Sequence, residues 1–187
     1  MELSEKESIQ KLQKGDTDAF AFLVKEYSPR ISRYLSKFLY KEEDVEDVLQ
    51  EVFIKAYVNI QSFDSAQPFS PWIYRIAHNE AINFLKKKKP QSFSLFDVDV
   101  LFPHPIAKET SDTESERALT KSMLDKVLGQ IDVKYREVLL LYFYEDFSYK
   151  EIASTLQIPV TTVGVRITRG KNLARKLVQE KGIDISL

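Results

Sequence analysis

The 187-residue chain contains no cysteine. That excludes a disulfide framework, a thiolate nucleophile and a cysteine zinc site, and it suits a reducing cytosol. Glycine is nearly as scarce: Gly15, Gly129, Gly164, Gly170 and Gly182 are the whole set, and no two stand at G-x-G or P-loop spacing. A phosphate-cradling nucleotide loop is therefore not expected. The two histidines, His78 and His104, have no neighbour at ligand spacing, and His104 sits between Pro103 and Pro105. Without a Ser-His-Asp set, a carboxylate pair or a metal cluster, neither enzymatic chemistry nor a cofactor or bound metal is expected. Long apolar runs are missing too. The longest, Val138 to Tyr144, is seven residues, where a spanning helix needs about 20. The start, Met1-Glu2-Leu3-Ser4-Glu5, has neither the basic nor the apolar region of a signal peptide. The chain is expected to be cytoplasmic, with no membrane insertion of its own.

What is present is charge, arranged in blocks. The totals of 27 Lys plus Arg and 28 Asp plus Glu give a net charge of -1, yet Lys41 to Asp64 carries -5, Ser65 to Lys89 +4, Pro90 to Ser115 -4 and Glu116 to Leu187 +3. Such blocks point to separate surfaces with separate partners.

Apolar spacing is helical nearly throughout. Phe20, Leu23, Val24 and Tyr27 follow i, i+3, i+4, i+7, as do Ile31, Tyr34, Leu35 and Phe38 beyond Pro29, which is expected to kink or interrupt the helix. Val45, Val48, Leu49, Val52, Phe53, Ala56, Tyr57 and Ile60 form one stripe, with Glu42, Glu43 and Asp44 in the first turn, where the helix dipole favours anions. Ser70 and Pro71 read as the N-cap and first residue of a helix running to Leu85 and the lysines beyond. Periodicity is lost over 90–115, which reads as an acidic, proline-containing linker. Helices are expected around Leu119 to Ile131 and Tyr135 to Tyr144. A capping box, Ser148 to Glu151, opens a short helix; the turn Gln157-Ile158-Pro159 leads to a last helix bearing Arg166, Arg169, Lys171, Arg175 and Lys176. The expectation is an all-α chain: a helical domain over 1–89, a flexible linker over 90–115, and a helix-turn-helix domain over 116–187.

In a helix-turn-helix, the second helix presents short polar and basic side chains to base edges while other cations meet phosphates. Thr161, Thr162, Arg166, Thr168, Arg169 and Lys171 are candidates for that role; a helical hairpin with a solvated basic face is the bland alternative. On the helix after Pro71, Arg75, Asn79, Asn83 and Lys86 share a stripe that runs into Lys87 to Lys89. Asparagine can bond a base edge, lysine attracts phosphate, and the nearby Phe63, Phe69 and Trp72 could stack on unpaired bases or simply fill a core. Glu43, Asp47 and Glu51 share a face with Glu46 and Gln50 beside them, and this face reads as solvated or protein-binding sooner than as a metal site.

Glu43 to Tyr57 resembles the core-polymerase-binding region of bacterial sigma-70-type factors. Phe69 to Asn83, with Ser70-Pro71-Trp72 and Ala77-His78-Asn79, is similar to the element that reads and melts the minus-ten region in the extracytoplasmic-function group. Ser148 to Lys171, with Glu151-Ile152-Ala153 and Ile158-Pro159-Val160, resembles that group's helix-turn-helix for the minus-thirty-five element. The resemblance implies a transcription initiation factor that binds core RNA polymerase and promoter DNA and is restrained by an anti-sigma factor, which could hold it at the membrane. It implies polymerase contacts by Asp44, Asp47, Gln50 and Glu51. Minus-ten contacts would fall to Phe63, Phe69, Arg75, Asn79, Asn83, Lys86 and Lys87, and minus-thirty-five contacts to the α-helix from Thr161 to Lys171. The chain departs from the group at Gly164 and Val165, where a basic residue and a serine are usual; readout there is expected to be weaker or aimed at other bases. A free-standing helix-turn-helix regulator and a helical adaptor without DNA remain as alternatives.

Overall fold

A computed structural model describes residues 4–39, 41–88 and 113–183. They fall into two compact units, and the described residues contain α- and 3-10 helices but no strand.

The N-terminal unit begins with α1 (Glu5–Gln13), opened by a reciprocal capping box in which the Glu7 amide donates to Ser4 Oγ and the Ser4 amide to the Glu7 carboxylate. Helix α2 (Ala19–Leu35) runs through Pro29 without a break. The expected interruption does not occur because Pro29 lies on the exposed side, while Leu23, Tyr27, Ile31 and Leu35 are locked into the core. The lost amide bond is thus on the solvent side, where it is cheapest. The Tyr27 hydroxyl donates to Glu5, joining α1 to α2. Burial and that carboxylate hold its pKa well above the usual tyrosine value.

Helix α3 (Glu42–Asn59) and helix α4 (Phe69–Lys88) pack against each other and against α2. They run antiparallel, tied at one end by Lys88 to Asp44 (2.6 Å) and further along by Lys55 to Glu80 (2.7 Å). Val45, Val48, Val52 and Ala56 of α3 meet the core along with Ile73, Ala77 and Ala81 of α4. A 3-10 turn (Ile60–Ser62) follows α3, and Gln13 Nε2 donates to the carbonyls of Ile60 (2.9 Å) and Phe63 (2.7 Å). The end of α1 therefore fixes the loop that feeds α4. Helix α4 starts two residues earlier than expected, at Phe69 instead of Pro71, so Ser70 lies within its first turn and is not the N-cap. Pro71 still fits, because first-turn amides have no carbonyl partner inside the helix.

The C-terminal unit begins with α5 (Glu114–Val127), capped by Thr113 and Glu116. Thr113 to Ser115 fall at the end of the stretch expected to be linker; 90–112 lie outside the described residues. Helix α6 (Val133–Phe143) is buried on every side from Arg136 to Phe143, as befits the central helix of a small bundle. The Arg136 guanidinium donates to the carbonyls of Gly129 and Ile131 (both 3.0 Å), satisfying the turn between α5 and α6. Helix α7 (Tyr149–Leu156) has the expected Ser148–Glu151 capping box and ends at Gln157 in the left-handed region, φ 54°. Helix α8 (Val160–Glu180) packs on α5, α6 and α7. At Gly170 the approach to α6 is tight: a Cβ there would lie 2.8 Å from Leu139 Cδ1.

Candidate nucleic-acid and partner interfaces

On α3, the side away from the core presents Glu43, Glu46, Asp47, Gln50 and Glu51, all exposed. The first turn adds backbone amides that favour this concentration of carboxylates. Asp44 differs from its neighbours, since its side chain is largely covered and both oxygens take a hydrogen bond from Lys88 Nζ. The acidic face continues into something that spacing alone did not reveal: Ile54 is 56% exposed, Tyr57 43% and Val58 68%. Tyr57, assigned to the buried stripe, instead rests the side of its ring on Phe20 (5.2 Å between centroids). Ile54 and Val58, four residues apart on the polar side of the stripe, were the available signal. Three large apolar side chains next to five polar or acidic ones make a face suited to a partner that is both basic and apolar.

On α4, Asn79, Asn83 and Lys87 are exposed and Arg75 and Lys86 half-buried, so the expected stripe is present on one side of the helix. Asn83 Nδ2 lies 3.5 Å from Glu80, and Lys88 is engaged with Asp44. Lysines at this helix end also complement its dipole. Phe63 and Phe69 must be reassigned. Phe69 is 1% exposed and Phe63 is also buried; Phe69 packs on Tyr27 (5.2 Å) and Phe63 (5.5 Å). Their rings are committed to the core because the loop before α4 has to fold onto α2, so neither offers a face to a base. Trp72, by contrast, is half-exposed over that pair, with its ring 5.0 Å from Phe63 and 5.3 Å from Phe69. The two phenylalanines form the shelf on which the tryptophan lies.

On α8, the candidates split by helical phase. Thr168 is exposed and Thr161, Arg169 and Lys171 half-buried, while Thr162 and Arg166 are buried. Arg166 is 6% exposed, and burial alone draws its pKa below the usual arginine value. Those two positions join Val163, Gly164, Ile167 and Gly170 on the inner side, so their assignment to base contact is corrected. Lys171 stands with its ammonium 5.7 Å from the Phe143 ring centre. The outward side instead brings together Thr161, Val165, Thr168 and Asn172, with Arg175 and Lys176 beyond. Asn172 is the addition to the residues named from the sequence; the spacing of the outward positions from Thr161, i, i+4, i+7, i+11, is the signal that shows it. Among the described residues no His, Asp or Glu group is arranged to hold a metal, and no helix is long and apolar enough to cross a membrane.

Residues 23–91 match the family model for sigma-70 region 2, and residues 121–173 match that for sigma-70 region 4. The ECF RNA polymerase sigma factor SigW of Bacillus subtilis (strain 168) is 37% identical over 189 residues, covering 96% of this chain and all of that protein. Among solved structures, CnrH in complex with the cytosolic domain of CnrY superposes with a TM-score of 0.68 at 23% identity, over 94% of this chain and 97% of that one. The sigma factor RpoE of Bartonella quintana, in complex with the anti-sigma factor NepR, superposes with a TM-score of 0.63 at 21% identity, over 86% and 96%. At those identities the superpositions bear on the fold.

Proposed function

The chain belongs to the ECF group of sigma-70-type RNA polymerase sigma factors, and from that premise we propose that it is an alternative sigma factor whose exposed faces divide core-polymerase docking from promoter contact. The acidic side of α3 docks on a basic surface of the core enzyme through Asp47, Gln50 and Glu51, with Asp44 joining when Lys88 releases it. The stripe of Arg75, Asn79, Asn83, Lys86 and Lys87 on α4 meets the minus-ten region, and the outward side of α8 meets the minus-thirty-five region. The segment 90–112 links the two DNA-binding units, and its acidity keeps it off phosphate.

Opening the promoter needs no chemical step by this chain. Extruding a base costs a few kcal/mol, and contacts made only with the extruded strand can offset it; Trp72, half-exposed beside the stripe, is positioned for such a contact. The chain acts in the cytoplasm, where polymerase and promoter are found. An anti-sigma factor is expected to compete for the same α3 face, with Ile54, Tyr57 and Val58 supplying its apolar part.

The observation that carries this reading is the segregation of charge on adjacent helices. Antiparallel α3 and α4 expose carboxylates on one and asparagine and lysine on the other, with Arg75 half-buried beside them. The test is co-elution with core polymerase together with run-off transcription from genomic DNA. Asp47→Lys should abolish co-elution, whereas Asn79→Ala should leave it intact and lower promoter-specific transcripts. Unchanged co-elution of Asp47→Lys removes the docking assignment; tight, specific duplex binding by the isolated chain favours a free-standing regulator.

A further inference from the structure

Helix α8 shows an uneven distribution of chemistry along its outward side. Its first three turns present Thr168, which is exposed, and Thr161 and Val165, which are half-buried, with Val160 44% exposed at the helix start. Charged groups gather later, at Arg169, Arg175 and Lys176, while Arg166 is turned inward. Thr168 is less polar than its name implies, because its hydroxyl donates to the Gly164 carbonyl at 3.0 Å. With its proton engaged by the backbone, the hydroxyl keeps only acceptor capacity, and the methyl is the apolar group Thr168 presents. Val165, one turn earlier, has methyl groups only. The part of α8 that would enter a major groove first is therefore a small methyl surface, followed by Asn172, whose Oδ1 accepts from Arg175 (3.2 Å).

A major groove contains one apolar feature, the C5-methyl of thymine, and apolar side chains discriminate through it. We infer that Val165 and Thr168 form a methyl-reading pair that selects a thymine in the upstream promoter element, making Val165 a specificity-determining residue. This rests on the reading that α8 faces promoter DNA. Arg169, Arg175 and Lys176 flank the pair and hold the helix to phosphates, a contact that positions without selecting. The inward turn of Arg166 takes one long donor off this face, and the next, Arg169, is half-buried and assigned to phosphate. Selection at the contacted step should therefore be by shape and methyl contact.

The experiment uses holoenzyme, the full chain with core polymerase, on a promoter fragment that this holoenzyme selects from genomic DNA. Each thymine of the upstream element is replaced in turn by deoxyuridine, which removes the methyl and keeps every Watson–Crick group. Burying one methyl corresponds to about a three- to fivefold change in affinity, so a loss of that size is expected at one or two positions. In Val165→Ala or Thr168→Ser, the second of which keeps the hydroxyl and loses only the methyl, the penalty at the matching position should shrink or vanish, as coupled contacts require. If no thymine responds, or if the penalty is undiminished in both variants, the inference is overturned, while dependence on the upstream element leaves the proposed function standing. If scrambling the whole upstream element changes nothing, the assignment of α8 to promoter DNA and the inference both fail.

Discussion

At Gly170 the backbone of α8 comes so close to α6 that a methyl group would meet Leu139 at 2.8 Å from Cδ1 and 3.1 Å from Cγ. Leu139 is fully buried, so it has little freedom to yield. Elsewhere in a helix Gly→Ala is favourable by about 1 kcal/mol, but overpacking a core costs about 1 to 3 kcal/mol, and the clash should win. Gly170→Ala is expected to lower the unfolding midpoint of the C-terminal unit, and Leu139→Val in the same chain should recover part of the loss. Thermal unfolding of the single and double variants measures both; a more stable single variant would show that Leu139 can move aside. Arg166 belongs to the same account. A guanidinium that burial has taken largely out of water serves the packing of α8, and its replacement should appear in unfolding before it appears in DNA affinity.

Among the elements, the approach to α4 depends most on a few side chains. Phe69 is held between Tyr27 of α2 and Phe63 of the preceding loop, Trp72 lies over both phenylalanines, and Gln13 pins the loop through two carbonyls. Phe69→Ala should cost the N-terminal unit about 3 to 5 kcal/mol, the usual range for emptying a buried aromatic site. Trp72 is the only tryptophan in the chain, so its fluorescence reports the change: denaturant midpoints should fall and the native emission shift to the red. An unchanged midpoint would mean that the cluster is peripheral to α4. The same elements show which features were legible in the sequence. Capping boxes at Ser148 and the acidic first turn of α3 are local chemistry, readable from a few consecutive residues, and they are present. Phe63, Phe69, Thr162 and Arg166 were chosen for side-chain type, and type does not say which way a residue points. On α8 the difficulty is greatest, because three neighbouring helices grip it and its buried arc is wide enough to take in Thr162 and Arg166. Ile54 and Val58 escaped for the opposite reason, since apolar residues off the stripe look like exceptions until their exposure is seen.

Across the whole molecule, a net charge of -1 conceals blocks that must respond differently to salt. On the proposed reading, lysines at the end of α4 act on phosphates, where each neutralised phosphate contributes about 0.7 (single strand) to 0.9 (duplex) to the slope of log affinity against log salt. Lys86 and Lys87 are available for this, whereas Lys88 is held by Asp44 in the free chain. Replacing Lys86 and Lys87 together by alanine should therefore weaken holoenzyme binding to every promoter by a similar factor and reduce the salt slope by about 1 to 2. Asn79→Ala, which removes no charge, should lower affinity for chosen promoters and leave the slope unchanged. Affinities measured from about 50 to 200 mM salt, the range over which phosphate contacts weaken most visibly, separate the two effects. A slope unaltered by the lysine pair would place the phosphate contacts elsewhere, and a slope altered by Asn79→Ala would mean that the asparagine positions a cation. The proposed docking face makes the converse demand: with its carboxylates against a basic protein surface, assembly with core polymerase should itself weaken as salt rises, and the DNA slopes must be taken with the holoenzyme fully formed.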